Sequence, residues 1–212
     1  MNQYYEKSLS AERLKKCYDI APKSIQNFLQ DEIKFIQAKL SPIHTVLELG
    51  CGYGRVVREL AEYGNRIIGI DNAPDNIRMS EQYLSEFENC NCLFMDANNL
   101  EFEKNFFDVV LCIQNGISAF KINADKLIDE ILKVMKPNGV AIFSSYSPKF
   151  WAERLHWFRL QAQQGLIGKI DESATGNGII ICEDGFKATT YSEQDFKKLG
   201  DKLGLISNSR NQ

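Results

Sequence analysis

The sequence has no Cys-x-x-Cys pair, only two histidines, no surplus of basic charge, no internal repeat and no apolar run of membrane-spanning length. Each absence removes a class of function. Cys90 and Cys92 stand apart from any further Cys or His, so no zinc site and no metal are expected. Cys17, Cys51, Cys112 and Cys182 are scattered singly, and Cys112 lies in an apolar run where a free thiol acts as a small hydrophobe. Such usage fits reduced thiols in a reducing compartment. The opening MNQYYEKSLS lacks the apolar core of a secretory leader, so a cytoplasmic protein without membrane contact is expected. Lys+Arg 25 against Asp+Glu 28 gives a net charge of -3, which argues against a broad nucleic-acid surface and for a small molecule or a protein as partner.

What is present is an ordinary globular composition, 44% hydrophobic and 25% charged over 212 residues, enough for one packed domain. Residues 10–40 have helical spacing, divided by Pro22 and stopped by Ser41-Pro42. From Thr45 strands and helices alternate. TVLEL, RIIGI, CLFM, FDVVLCI and VAIFSSY read as strands, with RVVRELAEY, a helix opened by Pro74, and residues 124–135 between them. Repeated β-α units of this size predict a doubly wound, mostly parallel sheet with N-terminal helices. The tail departs from alternation. KFWAERLHWFRLQAQQG predicts an aromatic-rich helix, and Gly176-Asn177-Gly178 with Asp184-Gly185 marks a C-terminal antiparallel element. A last helix follows Ser192, and LIS begins a short strand after it.

The chemistry-bearing residues gather at the strand ends. VLELGCGYGR (residues 46–55) runs a buried strand into Gly50-x-Gly52-x-Gly54 and then a helix. Glycines there permit a sharp turn and a close ligand approach, at the sheet edge where open α/β folds bind ligands. A merely structural glycine turn is the competing reading. Asp71 ends the second strand, where a carboxylate can accept hydrogen bonds from ribose hydroxyls, against the alternative of a helix cap. Asp96-Ala97 and Gln114-Asn115-Gly116 follow the third and fourth strands on the same rim.

Residues 45–146 resemble the class I S-adenosylmethionine-dependent methyltransferases, whose first motif is similar to ELGCGYGR, with an acidic residue two places before the first glycine. The resemblance implies a Rossmann-like α/β domain in which S-adenosylmethionine is converted to S-adenosylhomocysteine. It implies that Glu48 orients the glycine loop and the methionine end of the cofactor, with Gly50, Cys51, Gly52 and Gly54 passing beneath it. Asp71 would hold the ribose with Asn72 beside the adenosine, Asp96 and Ala97 would border the adenine, and Gln114 would lie near the methionine. On this view residues 1–42 form a helical lid, 43–146 the cofactor-binding core and 147–212 the acceptor side of a single domain. Two other readings remain open: a non-catalytic methyltransferase-like binding module, and an NAD-dependent oxidoreductase. Against the latter, G-x-G-x-G followed by Arg55 departs from G-x-G-x-x-G, and the tail has no Tyr-x-x-x-Lys pair.

The acceptor is expected to be a small molecule. His156, among Trp151, Trp157 and Phe158, is one candidate base; Tyr5, beside Tyr4 at a position for a cover over the cofactor, is the other catalytic candidate. The competing reading of each is structural. The aromatic cluster of residues 150–158 could line a pocket or steady a cationic acceptor, with core packing or a homodimer face as the favoured alternatives. The segment around residues 178–190 is expected to form a hairpin near the acceptor pocket, leaving the sheet short of seven strands.

Overall fold

A computed structural model describes residues 4, 8–120 and 123–202. Helix α1 (Ala11–Asp19) is separated from α2 (Lys23–Gln37) by Pro22, whose ring cannot continue a helix. Ile25, Leu29, Ile33 and Ile36 recur on one face of α2 and are all buried. That helix joins two cores: Ile25 and Leu29 pack with the C-terminal part of the chain, Ile33 and Ile36 against the sheet.

The sheet follows as β1 (Thr45–Leu49), α3 (Arg55–Glu59), β2 (Arg66–Asp71), α4 (Pro74–Tyr83), β3 (Cys90–Phe94), β4 (Phe107–Cys112), α5 (Gly116–Ala119), α6 (Ala124–Val134) and β5 (Met135–Phe143). All pairings are parallel, in the order β3-β2-β1-β4-β5. The three central strands, β1, β2 and β4, are buried on both faces, while the edge strands β3 and β5 are partly exposed. Val46, Ile67 and Val109 point to the side of α2 and α3, Leu47, Ile68 and Val110 to the side of α6, which is why they read as unbroken apolar runs. The order in which successive strands are added reverses between β1 and β4, so a crevice opens there at the carboxyl ends.

Three expected boundaries shift. The helix after the glycines covers Arg55–Glu59 rather than reaching Tyr63. The third strand begins at Cys90 rather than Cys92. The fifth strand, expected from Val140, begins at Met135, and the KPNG segment lies inside it as an irregularity: β4 advances from Phe107 to Val109 while its partner advances from Met135 to Val140. Asn138 takes φ 67 there, and Lys136 Nζ sits 2.9 Å from both carboxylate oxygens of Asp108, an anchor that holds the extra residues in place.

After a 3₁₀ turn (Pro148–Phe150), α7 (Trp151–Gln163) leads to the hairpin β6 (Ile180–Ile181) and β7 (Lys187–Ala188), and then to α8 (Glu193–Lys202). The hairpin is antiparallel, as expected, and forms its own two-stranded sheet rather than an added strand of the main one. Among the described residues the main sheet has five strands. The strand expected from LIS lies outside the described residues. Phe196 of α8 stacks on Tyr191, with ring centroids 5.6 Å apart, and reaches Phe143 at 6.3 Å, so this helix packs at the β5 edge. No described helix is long and apolar enough to cross a membrane.

Candidate functional site

The cavity at the carboxyl rim is built first from the turn after β1. Gly50 and Cys51 donate their N–H groups to the Ile70 carbonyl at 2.8 and 2.9 Å, which folds the turn onto the end of β2. Gly52 takes φ +55, and a Cβ built on it would lie 2.8 Å from Leu14 Cδ2 of α1. Both conditions select glycine, since a left-handed non-glycine residue is strained by about 1–2 kcal/mol. Gly52→Ala should therefore lower stability by roughly that amount and weaken ligand binding several-fold, read by denaturant unfolding and calorimetry; unchanged values would return the glycine to an ordinary turn. Gly54 corrects the expectation that it passes beneath a cofactor. It does not line the cavity, and its missing Cβ makes room for Leu84 and the Cys92 thiol.

Asp71 sits at the end of β2, where the sequence put it, and its carboxylate is half-buried and accepts from Gly52 N (2.9 Å), Ala73 N (2.8 Å) and Asn76 Nδ2 (3.1 Å). Burial raises its pKa, and these same hydrogen bonds oppose the rise. Asn76, itself buried, accepts from Ala11 N at 2.6 Å through Oδ1. A chain of contacts thus links the first motif, Asp71 and the start of α1. Asn72, Asp96 and Ala97 line the same end of the cavity, and Asp96 Oδ1 accepts from Asn98 N at 3.0 Å.

The opposite side of the crevice comes from the end of β4. Gln114 (φ 52) and Asn115 (φ 66) are consecutive left-handed non-glycine residues, a conformation that persists only where surroundings fix it. Here Gln114 N donates to Ser144 Oγ at 2.8 Å, and Asn115 N to Ser144 O at 3.0 Å. The Asn115 side chain accepts from Ser145 Oγ at 2.7 Å and donates to the Thr189 carbonyl. That last bond ties the hairpin to the rim.

Within this frame lie charged groups that spacing alone did not bring together. Ser144 Oγ also donates to Glu32 of α2, a carboxylate at a core position whose pKa is raised by burial. Tyr18 OH donates to Gln114 Oε1 at 3.0 Å, and the Arg55 guanidinium lies 4.6 Å from the Tyr18 ring centroid. Glu48 is 4% exposed, and burial pushes its pKa up to about 8; Cys92, Glu32 and Asp71 act in the same direction and Arg55 against it. Among the described residues, three cavity-lining side chains hold buried polar atoms for which no hydrogen-bond partner is found: Glu48 Oε2, Arg55 Nη2 and Gln114 Nε2. Buried polar atoms are rarely left so, and these supply one acceptor and two donors.

The remaining wall is made by α1, α7 and the hairpin. Trp157 Nε1 donates to Cys17 O at 2.8 Å, and Arg13 Nη2 to Gly165 O and Leu166 O at 2.8 and 2.9 Å, so α1 is fastened onto α7. Arg154, Trp157, Phe158, Gln161 and Phe186 face the cavity from this side. His156 does not; it is on the exposed side of α7, which removes it as a candidate base. Tyr5 lies outside the described residues. Tyr4 packs edge-on against Phe186 at 5.1 Å and donates to Asp184. Tyr18, Arg55, Arg154 and Gln161 were missed because each lies in a segment that reads as plain amphipathic helix; the 154, 157, 158, 161 spacing was the available signal for the last two.

A family model described as "Methyltransferase domain" matches residues 46–139. The chain is similar to the 2-methyl-6-phytyl-1,4-hydroquinone methyltransferase of Synechocystis, with 29% identity over 139 residues covering 60% of this chain and 42% of that protein. It is similar to the ubiquinone biosynthesis O-methyltransferase of Rickettsia akari, with 34% identity over 101 residues covering 47% and 39%. The match thus spans less than half the length of each relative. In fold it is similar to the N-methyltransferase NodS of Bradyrhizobium japonicum, solved in complex with S-adenosyl-L-homocysteine. The TM-score is 0.62 at 16% identity, covering 94% of this chain and 84% of that one.

Proposed function

We propose that this chain, a class I S-adenosylmethionine-dependent methyltransferase by its fold and by the family match over residues 46–139, transfers a methyl group from S-adenosylmethionine to a small-molecule acceptor. One observation carries the reading. Glu48 Oε2, Arg55 Nη2 and Gln114 Nε2 have no hydrogen-bond partner among the described residues and line the crevice between β1 and β4, which suits an amino-acid zwitterion attached to a cationic sulfur. Glu48 would face the positive groups, and Arg55 with Gln114 the carboxylate. Gly50, Cys51 and Gly52 would give the close backbone approach. Asp71 would take the ribose through lone pairs left over after its three protein bonds, beside Asn72, and Asp96 with Ala97 would border the adenine.

Bound there, the cofactor supplies a methyl group already activated by its sulfonium. The chain's own part is position and exclusion of water. The hydrogen bonds at Trp157 and Arg13 fasten α1 to the α7 side of the cavity wall, and the Asn115 bonds hold the hairpin wall against the rim. Alignment of this kind is worth several kcal/mol of rate, and a base is required only where the acceptor arrives protonated. Leu9 and, from α1, Leu14, Cys17 and Tyr18 line the cavity, which supports the reading of the N-terminal helices as a cover. The small-molecule acceptor is supported by the enclosure of the cavity and by the quinone-pathway relatives. Six free cysteines support a reducing, cytoplasmic setting.

Ligand that binds only the folded state stabilises it by about 2.7 kcal/mol at a hundredfold excess over Kd, which for a chain of this size is roughly 5–10 °C in Tm. S-adenosylhomocysteine is expected to produce that rise and NAD none. A flat response to millimolar S-adenosylhomocysteine would sink the cofactor reading, and a response to NAD instead would restore the oxidoreductase. Acceptors are then found by S-adenosylhomocysteine release; binding without release from any acceptor would favour the non-catalytic module.

A further inference from the structure

Two thiols meet at the glycine turn, although 41 positions separate them in sequence: Cys51 Sγ lies 3.5 Å from Cys92 Sγ and donates its hydrogen toward it. Among the described residues no other pair of cysteines makes such a contact. The strand between them allows the meeting. Gly69 of β2 is paired with Glu48 of β1 on one side and with Cys92 of β3 on the other. A Cβ built on it would lie 2.6 Å from Cys51 Cβ and 2.7 Å from Cys51 Sγ, so any side chain there would drive Cys51 from its place beside Cys92.

The two sulfurs differ in access and in acidity. Both residues are buried, but Cys51 lines the cavity and Cys92 does not, so a small oxidant in the cavity reaches Cys51 first. The thiol hydrogen bond from Cys51 lowers the pKa of Cys92 against its burial, whereas burial raises that of Cys51. Cys92 is thus the readier thiolate, suited to attack an oxidised Cys51. Packing alone asks for two small apolar side chains here and does not ask for sulfur at both positions.

We propose that Cys51 and Cys92 form a reversible oxidation site: a peroxide converts them to a disulfide across Gly69, and the disulfide weakens cofactor binding at the turn between β1 and α3. The effect on binding rests on the function proposed above; the disulfide does not. Cys51 sulfur attacks one peroxide oxygen: an S–O bond forms, the O–O bond breaks, and the thiol proton leaves with the other oxygen as water. Cys92 sulfur then attacks Cys51: an S–S bond forms, the S–O bond breaks, and the hydroxyl leaves with the Cys92 proton as a second water. The thiols lose two electrons and the peroxide gains them.

Bonded sulfurs stand about 2.05 Å apart, so the present 3.5 Å leaves roughly 1.5 Å to close. Side-chain rotation supplies part of that movement. The remainder falls on the turn, whose Gly50 and Cys51 N–H groups are held by Ile70 O and whose Gly52 N–H is held by Asp71. A binding site is degraded by displacements of about 1 Å. By reciprocity, bound cofactor opposes the disulfide to the degree that the disulfide opposes the cofactor.

The test treats the reduced full chain with hydrogen peroxide. Differential alkylation and peptide mass read the linkage, and calorimetry reads S-adenosylhomocysteine affinity. Oxidised wild type should carry a Cys51–Cys92 bond, bind S-adenosylhomocysteine roughly tenfold more weakly or worse, and recover with dithiothreitol. Saturating S-adenosylhomocysteine during the treatment should suppress the bond. Cys92→Ser and Cys92→Ala should keep the reduced affinity, form no bond, and lose the part of the response that dithiothreitol reverses. Cys90→Ser should keep both bond and response, which separates Cys92 from its strand neighbour. Should neither Cys92 variant fold, wild type and Cys90→Ser still decide. No bond, a bond through other cysteines, unchanged affinity in the disulfide form, or a reversible loss that survives removal of Cys92 would overturn the proposal. A reduced protein without an S-adenosylhomocysteine melting shift is a different failure. It counts against the cofactor reading and removes the effect on binding with it, whereas the bond itself is read without any ligand.

Discussion

Glu48→Gln is expected to be more stable than the wild-type protein at pH 9, by roughly 3–5 kcal/mol, and no more stable at pH 4. Its carboxyl has an ordinary pKa of 4.5 in the unfolded chain and about 8 in the buried site, raised first by burial. The native state therefore binds the proton more tightly than the unfolded state does. Its contribution is fully present below pH 4.5 and is lost as pH rises through 8. At about 1.4 kcal/mol per pK unit, the gap gives the figure stated. Glu32 and Asp71 are shifted in the same direction, so the wild-type curve alone would mix three groups. The difference between wild type and variant isolates Glu48, and a difference independent of pH would refute its buried protonated state. Function should move the opposite way. A cationic ligand prefers the ionised carboxylate, so wild-type affinity for S-adenosylmethionine should climb up to tenfold per pH unit below pH 8. In Glu48→Gln that climb should vanish, with roughly 2–4 kcal/mol of affinity lost at pH 8. A residue kept at a stability cost and released by ligand is what a binding site would retain.

How much of this was legible differs by element. The five strands were legible as apolar runs, most plainly β1, β2 and β4, whose burial on both faces leaves no alternation to misread: Leu47 and Val46 serve opposite cores, yet both must be apolar, whereas the bounds of the edge strands β3 and β5 shifted. The rim followed, since a parallel sheet delivers every strand end to one edge, and Glu48, Asp71, Asp96 and Gln114 all line the cavity there. Gly54 misled because a glycine needed for helix packing and one needed for a ligand look alike in a string; only the contact with Leu84 and Cys92 separates them. His156 misled because chemistry was assigned by residue type without regard to helix phase. The inward stripe of α7 passes through 154, 157, 158 and 161, and position 156 falls between its members. The Glu32–Ser144–Gln114 chain joins residues 112 positions apart in sequence, which no local pattern reports. Tertiary contacts of that span exist only once α2 has docked on the sheet.

Asp71→Ala should cost both folding and binding, and the two losses can be measured apart. From sequence the residue is a ribose acceptor, with helix capping as its alternative. In the structure it accepts from Gly52 N, Ala73 N and Asn76 Nδ2, and Asn76 in turn holds Ala11 N. Removing the carboxylate leaves donors at the glycine turn, at the start of α4 and on Asn76 without their acceptor. An unsatisfied buried donor costs about 1–3 kcal/mol, lessened wherever water can reach it. A loss of roughly 2–5 kcal/mol in denaturant unfolding of the ligand-free protein is therefore expected. Affinity for S-adenosylhomocysteine should fall by a further 2–4 kcal/mol or so, counting the lost charged acceptor and a loosened turn. Asp71→Asn separates the parts. Its remaining oxygen can still serve Ala73 and Asn76, while its amide turns a donor toward Gly52 N–H, so stability should recover in part and affinity hardly at all. Were Asp71→Ala as stable as wild type and only its binding impaired, the carboxylate would be a ligand contact alone. Were binding unchanged and stability reduced, it would be a turn clamp, and the ribose would have to be held from elsewhere on the rim.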